Sequence, residues 1–244
     1  MQEVEGFIVL LDISGYTRFV RSHNLRNIPV VGKHFRETSE AHAEKVVTDL
    51  LESLIHETRD LLTPEKLEGD AILMTAIVED KESFARLLVN RLEGVFKVFH
   101  DRIAQIVFCT TCLCDCCSQM ELLRVKAIVH HGAFLLKKVA NFREIAGQEV
   151  IRAHRLLKNE VDSNEYLMLT DAVATLSEAP SVLDMVSQEE VDKDLGVTKV
   201  WVHFPENHSQ LGQPPSDPYL KRLRQMYAYF DEPLDRSTLI PAAK

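Results

Sequence analysis

The sequence predicts an α+β protein in which an antiparallel or mixed β-sheet carries helices on one face. Short apolar runs and hairpin signals occur between long amphipathic segments, and strands and helices do not alternate regularly along the chain. Apolar residues make up 45% of the 244 residues and charged residues 27%, which is typical of an ordinary folded protein. This length allows one large domain or two small ones.

The first half of the chain predicts a strand, a helix and a hairpin. The continuous apolar run of residues 6–11 (GFIVLL) indicates a strand covered on both faces, which ends at Asp12. Apolar residues at helical spacing predict a helix from about Phe35 to Leu62, which Pro64 helps to end. In KLEGDAILMTAI, two extended segments flank Gly69-Asp70, a dipeptide suited to a tight turn.

The second half predicts another helix and further strands. A second amphipathic helix is expected from about Asp80 to Val107. The segment LLRVKAIVHHGAFLLKKV predicts two strands hinged near His131-Gly132. Three more elements are predicted downstream: a helix from Gly147 through Leu157 and strands at 166–170 and 197–204.

The C-terminal residues predict a linker and an additional helix. Residues 205–218 are rich in proline and polar residues, as linkers are, and residues 219–230 carry a helical apolar stripe. We therefore expect one domain over 1–204, with 205–244 forming a linker and an amphipathic helix that packs onto the domain or a partner subunit.

The composition excludes several classes of function. With 28 basic and 37 acidic residues the net charge is −9, which disfavours general binding to nucleic acid but allows a local pocket for one small anion. No apolar stretch approaches the roughly 18 residues of a membrane helix. The N-terminal sequence MQEVEG is acidic and unlike a secretory signal, so a cytoplasmic location without membrane contact is expected.

All five cysteines lie within residues 109–117, too close together to form a disulfide framework. The pairs Cys109-x-x-Cys112 and Cys114-x-x-Cys117 have the spacing common in zinc sites, but one residue separates the pairs. The alternatives are a compact Zn²⁺ site, a site shared across a dimer axis, and a reduced thiol-rich loop, with an iron–sulfur cluster as a minor option.

Four short motifs gain meaning from their order along residues 5–170, although Asp12 and Asp70 taken singly are typical of a solvated strand end and a turn. They are FIVLLDISGYTRF, Lys66-Leu67-Glu68-Gly69-Asp70, Val129-His130-His131-Gly132, and the stretch from Glu144 to Arg155. Together they resemble the catalytic domain of class III nucleotidyl cyclases, with Tyr16 in place of a phenylalanine. The chain also resembles a small bacterial set of cyclase-fold proteins of unknown function. These share a short cysteine cluster before the His-x-Gly strand and a stretch like that from His154 to Asn159.

The resemblance implies a ferredoxin-like cyclase fold and a homodimer that binds a nucleoside triphosphate. Asp12 and Asp70, with the backbone carbonyl of Ile13, would hold two Mg²⁺ or Mn²⁺ ions, whose preferred ligands are oxygens. Lys126 occupies the position of a phosphate-binding arginine, although a lysine lacks bidentate geometry.

The same resemblance implies roles for three further residues. Arg155 matches the catalytic arginine that stabilises the transition state. Lys66 and Glu144 match the pair that reads the base, in a combination similar to that of adenylate cyclases. In the family's dimer these three residues would act opposite the metal-binding carboxylates of the other subunit.

One position departs from the family pattern. The asparagine that orients the ribose should lie four residues before Arg155, where this chain has Ile151. An aliphatic side chain cannot hydrogen-bond the sugar, and poor positioning can lower a rate by orders of magnitude. The sequence therefore leaves open a working cyclase, a catalytically degenerate protein that binds nucleotide or metal, and an interaction module.

Overall fold

The computed structural model describes residues 1–21, 31–109 and 119–206. Within these ranges the chain divides into two compact units. The first contains residues 1–14, 54–97 and the described residues from 124 onward, and the second contains the described residues of 15–53 and 98–123.

The first unit is built on one mixed sheet, whose described strands follow the spatial order β2-β3-β1-β4-β6-β8-β7, with β5 paired to β4. The β4–β6 pair is parallel and the other pairs are antiparallel. The strands are β1 (Gln2–Ser14), β2 (Thr63–Glu68), β3 (Ala71–Ala76), β4 (Arg124–Val139), β5 (Phe142–Ala146), β6 (Tyr166–Thr170), β7 (Met185–Asp192) and β8 (Gly196–His203).

Helices follow or connect these strands. The α-helices are α1 (Tyr16–Arg21), α2 (Val31–Thr58), α3 (Lys81–Cys109), α4 (Gln148–Leu156) and α5 (Asp171–Ser177), and short 3₁₀ turns occur at Met120–Leu122 and Ala179–Ser181. In the part of the chain that the structure describes, no helix has both the length and the apolar character needed to cross a bilayer.

Alternation along the strands gives the sheet two faces with different coverings. On one face, the Phe7 ring packs against Phe84 of α3 at 5.1 Å between centroids, and Thr58 of α2 donates to the Met74 sulfur at 3.6 Å. Helix α4 covers the other face, where Ile8 and Leu10 belong to a core cluster with Val150, Ala153 and Leu156. The predicted α+β class with a mixed sheet is confirmed, and α4 is an additional covering on the face opposite α3.

The predicted hinge at His131-Gly132 is wrong, because β4 runs through it as one strand of 16 residues. Its ladder with β1 continues without a register shift from Ser14↔Arg124 to Gln2↔Leu136, and places Gly132 opposite Gly6. A continuous ladder satisfies the backbone groups that a hinge would leave exposed. The space at Gly132 serves packing with α4 instead of a turn.

The expected end of the first long helix is also wrong, since α2 ends at Thr58, not near Leu62. Pro64 belongs to β2, where the register shifts between Pro64 and Lys66. Strand β2 lies at the edge of the sheet, the position where a proline without an amide hydrogen is tolerated. The hairpin around Gly69-Asp70, the helix after Gly147 and the strand at 166–170 are confirmed.

The second unit is helical in its described part. Arg102 of α3 donates two hydrogen bonds to the carboxylate of Asp49 of α2, at 2.7 and 2.6 Å, and both side chains are nearly buried. Tyr16 donates to Glu44 at 2.5 Å and so connects α1 to α2. The predicted linker and terminal helix at 205–244 fall almost wholly outside the described residues, as do Cys112, Cys114, Cys117 and the side chain of Cys109.

Two glycine substitutions test how closely β1 and β3 approach. A Cβ on Gly6 would lie 2.4 Å from the carbonyl oxygen of Ala76, so Gly6→Ala should lower the free energy of unfolding by about 2 kcal/mol or more. The matched control is Gly94→Ala in α3, where a Cβ meets nothing within 4 Å. Gly94→Ala should raise the free energy of unfolding by up to about 1 kcal/mol. Urea titrations followed by circular dichroism measure both, and equal effects would contradict the packing described.

Candidate active site

Three chemically distinct side chains share one row across the central strands. Asp12 pairs with Lys126 in the β1–β4 ladder, and Lys126 pairs with Tyr166 in the β4–β6 ladder. Asp12, Leu10 and Ile8 are alternate residues of β1 and therefore lie on the same side of the sheet. The row accordingly lies on the sheet face that α4 covers. The register therefore places a carboxylate, an ammonium and a phenol next to one another at the end of the apolar core.

Asp70 joins this row from the hairpin between β2 and β3. The two-residue loop Gly69-Asp70 connects Glu68 to Ala71, which pairs directly with Asp12. The amide of Ile13 donates a hydrogen bond to the carbonyl oxygen of Asp70 at 3.0 Å. The hairpin and the end of β1 are thus fixed to each other by the backbone, and the two predicted metal-binding aspartates are neighbours.

The protonation of Asp12 reflects this neighbourhood. Burial, and then the negative charge of Asp70, raise the pKa of Asp12 to about 6, while the positive charge of Lys126 opposes the rise. A carboxylate whose charge is disfavoured by burial and by a second carboxylate is stabilised by a cation placed between the two. Strongly perturbed groups of this kind are concentrated at functional sites.

Lys126 lies between the acidic side and an aromatic wall. Its Nζ atom is 5.5 Å from the centre of the Tyr166 ring, within the range of a cation–π contact. Tyr166 is fully buried, and its hydroxyl is hydrogen-bonded to the amide of Asn159. Burial raises the pKa of Tyr166 to about 12, opposed by Asn159 and assisted by the charges of Asp12 and Glu190. The phenol therefore stays neutral, and its ring bounds the site beside Lys126.

The donor set fits the divalent ions that the resemblance implies. Carboxylate oxygens are the preferred ligands of Mg²⁺, which is bound in phosphate-transfer sites by one or two carboxylates together with the substrate's own phosphates. Asp12 and Asp70 supply such a pair. The raised pKa of Asp12 shows that its negative charge is unfavourable, and a bound cation would neutralise that charge. Over residues 1–21, 31–109 and 119–206, no three His, Cys, Asp or Glu side chains form a metal cluster by themselves.

The two residues expected to read the base lie apart from this row. Lys66 contacts Glu68 at 3.2 Å, and the other oxygen of Glu68 lies 3.4 Å from Nδ1 of His154 on α4. Glu144 is partly exposed on β5, opposite Lys137 of β4. The carboxylate that Lys66 contacts is therefore Glu68, a residue that the sequence motif contained but did not single out.

Arg155 projects from the last turn of α4 and is about half exposed. Its guanidinium lies 3.8 Å from Asp192, the last residue of β7, and 3.8 Å from Asp194, in the turn between β7 and β8. Ile151, one helical turn earlier, is also half exposed. The arginine and the departure from the family pattern thus occupy one accessible stripe of α4.

The sequence predicted Asp12, Asp70 and Lys126 from motifs, but it did not predict Tyr166 or Asn159 as part of the site. Tyr166 opens an apolar strand and looks like core, and its place beside Lys126 depends on a parallel register between strands far apart in sequence. Asn159 was visible only as the last residue of the stretch shared with the bacterial proteins of unknown function.

Sequence comparison finds relatives without an assigned activity. The family model described as "Protein of unknown function (DUF2652)" matches residues 47–166. The chain is 37% identical over 128 residues to the uncharacterised protein Rv2561/Rv2562 of Mycobacterium tuberculosis, across 52% of this chain. The matched stretch spans 58% of that relative's length.

Structure comparison identifies the fold. The adenylyl cyclase CyaB from P. aeruginosa superposes with a TM-score of 0.56 at 11% identity, covering 86% of this chain and 98% of that one. The guanylate cyclase domain of RhGC from Catenaria anguillulae, solved in complex with GTP, gives 0.51 at 16% identity, with coverages of 84% and 100%. The chain therefore has the fold of class III nucleotidyl cyclase catalytic domains, as the motifs implied.

The raised pKa of Asp12 predicts a gain in stability when its charge is removed. A raised pKa means that the folded state binds the proton more tightly than the unfolded chain does, so the ionised group lowers stability fully above pH 6. Asp12→Asn should therefore raise the free energy of unfolding by about 2 kcal/mol at pH 8 and by less at pH 5. Urea titrations at the two pH values measure this difference.

Asp80→Asn provides the control for the same chemical change. Asp80 is exposed at the start of α3, where its carboxylate accepts a hydrogen bond from the Ser83 amide at 3.0 Å. The hydrogen bonds with Ser83 lower the pKa of Asp80, so its substitution should give no gain in stability at either pH. If Asp12→Asn destabilises the protein at pH 8, the electrostatic description of the site is wrong.

Proposed function

We propose that this protein is a nucleotidyl cyclase that converts ATP to a 3′,5′-cyclic nucleotide with two divalent ions at a homodimer interface. The observation that carries the proposal is the Asp12–Asp70 pair, two neighbouring carboxylates on a cyclase fold, one of which has a pKa of about 6. Keeping a charge at a buried strand end costs stability, and this is typical of a site maintained for binding or catalysis.

The proposed reaction is an in-line displacement within one nucleotide. The ribose 3′-oxygen forms a bond to the α-phosphorus, the bond from that phosphorus to the bridging oxygen breaks, and pyrophosphate leaves. The proton of the 3′-hydroxyl passes to solvent or to the departing phosphate. Divalent ions held by Asp12, Asp70 and the Ile13 carbonyl would lower the pKa of the hydroxyl and neutralise charge on the triphosphate.

The remaining residues bind and orient the substrate. The ammonium group of Lys126 lies between the Tyr166 ring and the Asp12 charge. It could therefore bind a phosphate oxygen beside the acidic pair. Arg155 would donate to the charge that develops at phosphorus. Lys66 and Glu144 would read the adenine, with Glu68 holding the Lys66 side chain.

The proposed division of roles requires a second copy of the chain. In one subunit Arg155 contacts two acids of its own β7–β8 hairpin, and it is half exposed on α4. In the proposed dimer, Arg155, Lys66 and Glu144 of one subunit would face Asp12, Asp70 and Lys126 of the other. A dimer is in keeping with one of the similar structures, a non-canonical dimeric guanylyl cyclase domain from the fungus Blastocladiella emersonii.

The test is cyclic nucleotide formation by the purified full chain with ATP and Mn²⁺. The wild type should form cyclic AMP, and Asp12→Asn or Asp70→Asn should lower kcat by about a hundredfold or more because each removes a metal ligand. Asp80→Asn, which alters an exposed carboxylate at the start of α3, should leave the rate unchanged. A wild type that converts neither ATP nor GTP would contradict the proposal.

A catalytically degenerate binding protein is the second candidate, favoured by one observation. Ile151 is half exposed on the same stripe of α4 as Arg155 and has no hydrogen-bonding group for a ribose. Such a protein would bind ATP with Mn²⁺ in calorimetry, lose that heat in Asp12→Asn, and release no cyclic product. Absence of both heat and product would leave neither function.

A further inference from the structure

A partly buried polar cluster joins α4 to the sheet, outside the row of Asp12, Lys126 and Tyr166. We call it the Glu149 cluster; its members are Glu149 and Arg152 of α4, His130 of β4, Thr170 of β6 and Thr198 of β8. Glu149 accepts from Nε2 of His130 at 2.7 Å and from Nε of Arg152 at 3.0 Å. His130 and Thr170 are almost completely buried. None of these residues has a role in the proposed chemistry.

The hydrogen-bond roles in the cluster follow from the charges. Burial would raise the pKa of Glu149, but the His130 and Arg152 contacts together lower it below its ordinary value. Burial lowers the pKa of His130 despite the Glu149 contact, so the ring is neutral near pH 7. An ionised Glu149 accepts only, which places the ring proton on Nε2, and Nδ1 then accepts from the Thr170 hydroxyl at 3.0 Å. Each buried polar atom in this chain of contacts is thereby paired.

Gly132 makes room for the cluster. A Cβ at Gly132 would lie 2.8 Å from Cγ and 3.2 Å from Cβ of Glu149, and 3.3 Å from Nε2 of His130. The His-x-Gly motif of β4 therefore has a physical meaning here: His130 binds the Glu149 carboxylate, and Gly132 lets the Glu149 side chain lie against the strand. The sequence predicted a hinge at this glycine, but in the structure the glycine belongs to the surface of β4 that contacts α4.

Arg152 extends the cluster to the β7–β8 hairpin. Its Nη1 atom donates to the Thr198 hydroxyl at 2.7 Å and lies 3.4 Å from the carbonyl oxygen of Leu195. The same hairpin carries Asp192 and Asp194, which contact Arg155. Asp192 also accepts from the amides of Asp194 and Leu195, so the acidic turn is itself ordered. The cluster thus connects α4, which carries Arg155, to the hairpin whose acids Arg155 contacts.

We propose that Glu149 is a positioning residue for Arg155, because it fixes α4 on β4 through His130 and fixes the β7–β8 hairpin through Arg152. This assignment rests on the proposed function, since it concerns how Arg155 is presented to a substrate. Glu149 touches neither substrate nor metal in this scheme. It sets the place and the direction of a guanidinium less than two helical turns away, where a displacement of about 1 Å can cost up to a hundredfold in rate.

The experiment is a double-mutant cycle between Glu149 and Arg155, measured as kcat and KM for ATP with Mn²⁺. Glu149→Gln keeps the size of the side chain and removes its charge, and it should lower kcat about tenfold with little change in KM. In the Arg155→Ala background the same change should cost less than about twofold, because the group it positions is gone. Independent losses that multiply in the double mutant, or an unchanged kcat in Glu149→Gln, would overturn the proposal.

Two further variants complete the design. Thr198→Val removes the hydroxyl on β8 that accepts from Arg152, and it should also lower kcat. This second variant keeps the test valid if Glu149→Gln folds poorly. Glu160→Gln makes the same change of charge at an exposed residue just beyond α4 and should leave kcat and KM unchanged.

A wild type without cyclase activity would reject the proposed function and leave the positioning claim to a separate measurement. The NMR order parameter of the Arg155 Nε–H group reports how well the side chain is held, with or without turnover. It should fall in Glu149→Gln and Thr198→Val and stay unchanged in Glu160→Gln. An unchanged order parameter in Glu149→Gln would overturn the positioning role.

Discussion

The unfavourable charge of the buried Asp12 carboxylate, which the nearby charge of Asp70 makes still less favourable, is the interaction on which the candidate site depends. The two aspartates meet because β1 pairs with β3 up to the hairpin loop, and the Ile13 amide binds the Asp70 carbonyl at 3.0 Å. Burial is the larger cause of the raised pKa of Asp12, since little water can solvate its carboxylate, and the negative charge of Asp70 adds to the rise. A cation would relieve both effects at once, and this makes an energetically unfavourable pair a favourable place to bind metal.

Under the proposed function, the rest of the first unit holds the groups that a triphosphate would meet around this pair. Lys126 lies on one side of Asp12 and is bounded by the Tyr166 ring, which Asn159 ties to the end of α4. The Glu149 cluster holds the other end of the same helix. Helix α4 is therefore fixed at both ends, although it has only nine residues and its outer stripe is exposed. Such rigidity suits a helix that presents a charged side chain to a substrate.

Much of the fold could be predicted from local patterns, because each hairpin and amphipathic helix carries its own signal. The loop at Gly69-Asp70 and the strand at 166–170 are confirmed, since turn chemistry and continuous apolar runs are encoded within a few residues. The failure at Gly132 has the opposite cause. The glycine is required by a side chain of α4, and a contact made 17 residues away leaves no local signature.

The candidate site shows the same division. Asp12, Asp70 and Lys126 were predicted because they lie in motifs whose residue types and order resemble those of a known site. The sequence did not single out Glu68, Tyr166, Asn159 or Glu149, because each looks like an ordinary strand, core or helix residue until the register and the helix packing are known. A sequence pattern names the chemical groups, whereas the residues that orient them become visible only when distant segments are brought together.

The most direct measurement of the central claim is anomalous diffraction from crystals of the full chain grown with Mn²⁺ and a non-hydrolysable ATP analogue. The account predicts manganese peaks within coordination distance of carboxylate oxygens from both Asp12 and Asp70, next to the triphosphate. Manganese bound elsewhere, or a nucleotide bound without contact to this pair, would contradict it.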